Sequence, residues 1–135
     1  MKDLFIKIIN GELPSEKIYE DDMTYAFLDI NPTNKGHTLV VPKNHSENIY
    51  DIKEEDWTAV MKTVRLLSPK IKKALNADGI NIIMNNEKSA GQLVPHSHVH
   101  IIPRYEADGF KHWKGTPYQE GEMERIGEKI RSVLD

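Results

Sequence analysis

The sequence predicts an α+β domain spanning residues 1–135, with an antiparallel sheet of about five strands, two main helices and a C-terminal helix. Three observations predict it. Short β-like runs follow one another near the N-terminus and are joined by turns, which makes a meander rather than a set of parallel crossovers. Apolar residues between Trp57 and Leu75 recur at helical spacing. Two more β-like runs then flank a polar loop, and helical spacing returns near the C-terminus.

The elements follow in order. Leu4, Phe5, Ile8 and Ile9 share one helical face, with Asp3 favourable at the positive end of the helix dipole and Gly11 placed to stop the helix. Residues 17–19 and 24–30 read as strands joined by Glu20, Asp21 and Asp22. The turn-rich segment from Asn31 to Gly36 leads to a third strand over 37–41, closed by Pro42. Trp57, Val60, Met61, Val64, Leu67, Ile71 and Leu75 mark the long helix; Glu54, Glu55 and Asp56 suit its N-terminus, and Pro69 is expected to kink or restart it. Residues 80–84 form a fourth strand, 85–92 a polar loop, and 96–102 a fifth strand ended by Pro103. Met123, Ile126, Ile130, Val133 and Leu134 mark a last amphipathic helix, and the helices are expected to pack on the sheet.

Composition narrows the function classes. The chain contains 39% hydrophobic residues, enough for a core, and no cysteine. Disulfide scaffolds, thiolate metal sites and cysteine nucleophiles are therefore excluded. The N-terminal apolar stretch is short and interrupted by charge, unlike a signal peptide, and no run approaches a membrane span. A cytoplasmic protein is expected, with no membrane partner. The net charge is −3 and the lysines are scattered, so no footprint for DNA or RNA is visible. A single nucleotide held by local groups remains compatible with that charge.

The run His96-Ser97-His98-Val99-His100-Ile101-Ile102 carries most of the functional information. Alternate residues of a strand face the same side, so His96, His98 and His100 share one face while Ser97, Val99 and Ile101 take the other, towards the core. Isolated histidines are usually structural; three in alternation are rarely so. Two chemistries suit them. Imidazoles about 6.6 Å apart along a strand can converge on a metal ion. Alternatively, a neutral imidazole attacks phosphorus near neutral pH, while its neighbours stabilise phosphate oxygens or protonate a leaving group.

This run resembles the motif of the histidine triad family of nucleotide hydrolases and transferases, His-x-His-x-His followed by two apolar residues. Further segments match in the family's order: residues 8–15, Asp21-Asp22, 26–32, 36–43 and Ala90-Gly91-Gln92. The resemblance extends from about Leu4 to Tyr105 and is closest to small nucleotide-binding members. It implies a fold of the same type, a homodimer, no cofactor, and a purine nucleotide substrate, adenylyl or guanylyl. His98 would attack the α-phosphorus and form a nucleotidyl-imidazole. His96 and His100 would orient it and bind phosphate oxygens, with His37 close by. Asn85 matches a position beside the phosphates, and Gln92 lies in the loop that closes over them. Asp29 matches the acid that binds ribose hydroxyls. Leu13, Phe27, Ile30 and Leu39 match the apolar walls of a base pocket, although Phe27, Ile30 and Leu39 fit a core equally well on pattern alone.

Two departures stand out. Many bacterial relatives carry Cys-x-x-Cys near the N-terminus, where it binds zinc with two histidines; here Asp3 and Ile6 occupy those positions, leaving His45 and His96. Leu93 stands where several relatives place a serine near the leaving group, and it has no proton to donate. The substrate bond is thus open between phosphoramidates, dinucleoside polyphosphates and adenylated metabolites. Two other functions compete: a metal-dependent hydrolase using the same histidines, and a nucleotide-binding or scaffolding protein with little catalysis. The helix carrying Trp57 and Met61 is the candidate dimer interface.

Overall fold

Alternating apolar side chains organise the molecule around one antiparallel sheet. The computed structural model describes residues 4–134. The strands are β1 (Lys17–Glu20), β2 (Thr24–Leu28), β3 (Thr38–Pro42), β4 (Gly79–Ile83) and β5 (Val99–Arg104). They lie in the order β1-β2-β3-β5-β4, every neighbouring pair antiparallel. The helices are α1 (Leu4–Ile9), α2 (Glu54–Ala74) and α3 (Glu122–Arg131), with a short 3₁₀ turn at Lys88–Ala90. The α+β class and the five strands are as expected. The expected contribution of Asp3 to the first helix lies outside the described residues.

The two faces of the sheet are covered differently. Ala26, Val40, Val99 and Ile101 pack with Val60, Val64, Leu67 and Ile71 of α2. Burying each of the valine, leucine and isoleucine side chains contributes roughly 1.5–3 kcal/mol. Thr24 and Thr63 join sheet to helix through a buried hydroxyl pair at 2.8 Å. On the other face, Tyr25, Phe27, Leu39 and Val41 pack with Phe5 of α1. Helix α1 is only six residues long and covers part of that face. The remainder forms a cleft.

Several boundaries differ from the sequence reading. Strand β2 stops at Leu28 because Asp29 turns the chain, its Oδ1 accepting the Asn31 N–H at 2.8 Å. Pro69 does not interrupt α2; the helix runs from Glu54 to Ala74, with Pro69 on its exposed side. Strand β5 begins at Val99 and passes through Pro103, which stands opposite Ile80 of β4, whereas the pairing with β3 ends at Ile101. A proline without an N–H is tolerated where one side of the strand has no ladder to supply. Helix α3 does not pack on the sheet: none of its residues is buried, and Met123, Ile130, Val133 and Leu134 are all more than half exposed. The segment leading to it, residues 109–120, is exposed and irregular. Among the described residues no helix is long and apolar enough to cross a membrane.

Candidate active site

The cleft beside α1 has a volume of about 470 Å³. Leu13, Phe27, Asp29, Ile30, Leu39, Leu93, His98 and His100 all line it. The structure thus brings together eight of the residues singled out from sequence. Phe27 and Leu39 are nearly fully buried, so they serve the core and the cleft wall at once. Ile30 and Leu93 are each 89% exposed and form the open rim. Phe5, Ile8, Pro14, Ser15 and Val94 line the cleft too and were not anticipated. Phe5 and Ile8 belong to an amphipathic helix, whose apolar side reads as core whatever it faces.

The three histidines keep the predicted alternation, although only His100 lies in a paired strand. His96 is 0% exposed, and its Nε2 donates to the Pro42 carbonyl at 2.9 Å. It lies behind the cleft, edge-on to Phe5, and does not line it. Burial pushes its pKa down to about 4, against the pull of the Pro42 carbonyl. The His98 Nδ1–H donates to the backbone carbonyl of His96 at 2.7 Å. That bond leaves the Nε2 lone pair of His98 as its free basic atom. Burial lowers the His98 pKa, opposed by the His96 carbonyl and the negative charge of Asp29. The edge of the Phe5 ring packs on His98 from one side, at a centroid distance of 5.2 Å. His100 packs on it at 4.9 Å.

Behind His100 stands His37, at 2.9 Å between Nε2 of His37 and Nδ1 of His100. Burial lowers the pKa of His37 and pushes that of His100 down to about 4. Gly36 delivers His37 to this place. Its φ of 95° suits glycine, and a Cβ there would collide with Leu75. Asp29 has one oxygen engaged by the Asn31 amide and the other 3.7 Å from His37 Nε2.

Asn85 and Gln92 sit differently. The Asn85 side chain lies beside Gly91, where a Cβ would stand 3.6 Å from its Nδ2, and Gly91 lines the cleft. Gln92 turns away from the histidines. Its Nε2 donates to the carbonyls of Glu47 and Val94, and its Oε1 accepts from the Glu87 amide and Asn48 Nδ2. With both ends of its amide engaged, Gln92 ties the loop 87–94 to the segment at Glu47.

The family model of the HIT domain matches residues 10–107, most of the chain and all of the histidine run. The chain belongs to the HIT, or histidine triad, family. A HIT-like protein of Methanocaldococcus jannaschii is 53% identical over 106 residues, covering 78% of this chain and 81% of the relative. An adenosine 5'-monophosphoramidase of Saccharomyces cerevisiae is 40% identical over 132 residues, covering 97% of this chain and 80% of the relative. A crystal structure of a Streptococcus mutans protein superposes with a TM-score of 0.92 at 39% identity, covering 100% of this chain and 87% of that one.

Two metal sites can be tested against this HIT protein. The family's zinc position retains His45 and His96, ring centroids 5.2 Å apart, and the Nδ1 of His96 is buried without a partner. Two imidazoles without a thiolate fall short of the four ligands a closed zinc site needs, and Ile6 offers none. Asp29, His37 and His100 also converge, with one ligand atom each within 4.8 Å. There the Thr33 N–H points at His37 Nδ1 at 3.1 Å. An N–H donor at Nδ1 keeps the ring's own proton on Nε2, the atom a metal would have to take. Asp3 lies outside the described residues; among the described residues neither donor set fits a resident metal.

Proposed function

We propose that this HIT protein is a nucleotide hydrolase or nucleotidyltransferase that works through a covalent nucleotide on His98. The observation that carries this reading is the bond from His98 Nδ1 to the His96 carbonyl, which leaves a neutral Nε2 lone pair at a cleft that also holds the Asp29 carboxylate. His98 Nε2 attacks the α-phosphorus of an adenylyl or guanylyl compound. The bond from phosphorus to the leaving group breaks, and its electron pair departs with that group, which takes a proton from solvent. Water then attacks phosphorus, the phosphorus–nitrogen bond breaks, and the nucleoside monophosphate leaves with His98 regenerated. One difficult displacement becomes two easier ones. A neutral nucleophile also avoids the repulsion that phosphate oxygens exert on an anion.

The remaining groups divide the substrate. Asp29 accepts from ribose hydroxyls, while Leu13, Phe27, Ile30 and Leu39 enclose the base. His100 and the unengaged amide of Asn85 serve phosphate oxygens. Gln92 acts by holding the loop that carries Leu93, and Leu93 gives the leaving group apolar contact without a proton. The monophosphoramidase relative supports a phosphorus–nitrogen bond as one substrate bond; dinucleoside polyphosphates and adenylated metabolites share the same α-phosphorus. A cytoplasmic setting suits the cysteine-free chain.

The active form is a homodimer in this reading. Strand β4 ends the sheet and leaves one edge unpaired, and two such edges related by a two-fold axis satisfy each other. Met61, Leu66, Pro69 and Ile82 line a groove beside that edge, on the helix first suspected from Trp57 and Met61. The bare apolar face of α3 adds surface that a second copy would cover.

Rapid quenching during turnover tests the chemistry. One acid-labile nucleotide per chain is expected on His98, absent in His98→Ala together with nearly all activity, while nucleotide affinity stays similar. A His98→Ala protein that turns substrate over near the normal rate would end this mechanism.

A further inference from the structure

We propose that Ser15, held by the buried hydroxyl of Tyr25, reads the polar edge of a purine base and sets the base specificity of the cleft. This role rests on the nucleotide reading of the cleft, not on the covalent step at His98.

Ser15, Asp29, Asn31, His98 and His100 are the polar side chains that line the cleft. In the proposed reaction the two histidines serve phosphorus and its oxygens, and Asp29 serves the ribose. Asn31 is exposed on the turn that Asp29 closes. Ser15 is left. It ends the run Leu13-Pro14-Ser15, which lines the cleft throughout, and among the described residues it brings the cleft's one hydroxyl.

Sheet register puts that hydroxyl beside the base. Phe27, Leu39 and His100 stand in one row across β2, β3 and β5, through the pairs Phe27–Leu39 and Leu39–His100. A nucleotide lying along that row with its phosphorus at the histidines carries its base over Leu39 and Phe27. Strand β1 borders the outer side of β2, with Lys17 opposite Phe27. Ser15 lies just before Lys17, so it enters from the side of the sheet away from the histidines. A hydroxyl there meets the base rather than the phosphate.

Tyr25 fixes the hydroxyl in place. Tyr25 and Phe27 share one face of β2, as alternate residues of a strand do. Tyr25 is 7% exposed, packs in the cluster of Phe5, Phe27, Leu39 and Val41, and pairs its hydroxyl with Ser15 Oγ at 3.1 Å. A buried phenol needs such a partner, so Ser15 is held at the end of the ring. Two hydroxyls bring two protons, and the bond between them uses one. The second proton and the remaining lone pairs face a ligand. By rotating its hydroxyls the pair accepts from the 6-amino group of adenine or donates to the 6-oxo group of guanine. A base edge without hydrogen-bonding groups gains nothing from it.

Calorimetry with nucleoside monophosphates tests this without turnover. The ligands are AMP, GMP and the monophosphate of benzimidazole riboside, which keeps the bicyclic shape of adenine but lacks its amino group and six-ring nitrogens. The preference for AMP over the benzimidazole analogue should be roughly three- to tenfold larger in wild-type protein than in Ser15→Ala, the range for one hydrogen bond. GMP should lose affinity in Ser15→Ala to a similar extent. An unchanged preference in Ser15→Ala, or unaffected GMP binding, would overturn the inference. Tyr25→Phe separates reading from packing. Both variants break the Ser15–Tyr25 bond and should lower Tm, but Tyr25→Phe keeps the Ser15 hydroxyl at the cleft and should keep part of the preference. Equal losses of preference in the two variants would reduce the pair to a packing role. Quench trapping distinguishes the two failures. An adduct on His98 with a base preference independent of Ser15 sinks this inference alone, whereas a Ser15-dependent preference without any adduct sinks the covalent mechanism alone. Protein that binds neither AMP nor GMP would sink both.

Discussion

The Nδ1 atom of His98 lies 2.7 Å from the main-chain oxygen of His96, two residues earlier in the chain. The short bond joins a side chain to the backbone of its own segment, so the ring that faces the cleft is oriented by the peptide that carries it. A backbone carbonyl accepts and cannot donate, so the proton of a neutral ring stays on Nδ1.

A pH dependence follows. His98 must be neutral to attack, and its pKa is lowered by burial despite the opposing pull of the His96 carbonyl and Asp29. A lowered pKa keeps the neutral form dominant as pH falls through the ordinary histidine range. With a good leaving group, kcat/KM should therefore hold level from neutrality down to about pH 6.5 and decline only below it. Asp29→Asn removes a charge that favours the imidazolium, so the acid limb should move lower still. An inflection at or above pH 6.5 in the wild-type profile, assigned to His98 by NMR titration, would contradict the buried neutral nucleophile.

Asp29 should read the ribose. Asp29→Ala should weaken ribonucleotide binding by roughly 1.5–3 kcal/mol, the range for hydrogen bonds to a charged group. A dideoxy analogue lacking both ring hydroxyls should lose much less. Calorimetry with the two ligands checks this, and equal losses would assign Asp29 to the Asn31 turn and the His37 contact alone.

Purified protein should contain no stoichiometric zinc and should keep its activity in a chelator. His45 and His96 supply only two of the four ligands a structural zinc requires, and the Thr33 amide opposes a metal on His37. Elemental analysis finding about one tightly bound zinc per chain would revive the metal-dependent reading.

If the proposed homodimer pairs β4 with β4, Ile82→Lys should yield a monomer. Ile82 is 47% exposed on the edge strand β4, and a charge there is costly to bury against a second copy. Light scattering measures the change, with circular dichroism confirming the fold. A dimer that survives the substitution would move the interface away from β4.

Much of the fold was legible because local chemistry dictated it. The β-like runs 24–30 and 37–41 and the helical spacing from Trp57 to Leu75 each specify an element without reference to the rest of the chain. The histidine run was legible for the same reason, since the period of two places His98 and His100 on one face wherever the strand lies. Strand ends were less legible. The Asx turn at Asp29 and the one-sided pairing of β5 at Pro103 depend on partners far along the chain.

The sequence by itself determined the α+β class, through periodicity, and the family, through the histidine run and the segments that match in order; the resemblance then pointed to the principal cleft residues. Tertiary structure alone decided the rest. It buried His96 behind the cleft, turned Gln92 onto the carbonyls of Glu47 and Val94, and left α3 without cover. It also decided where the histidine protons sit. The donor that governs His37 is the main-chain N–H of Thr33, a group every residue except proline possesses. No residue pattern marks such a donor, and only the path of the backbone brings it to Nδ1.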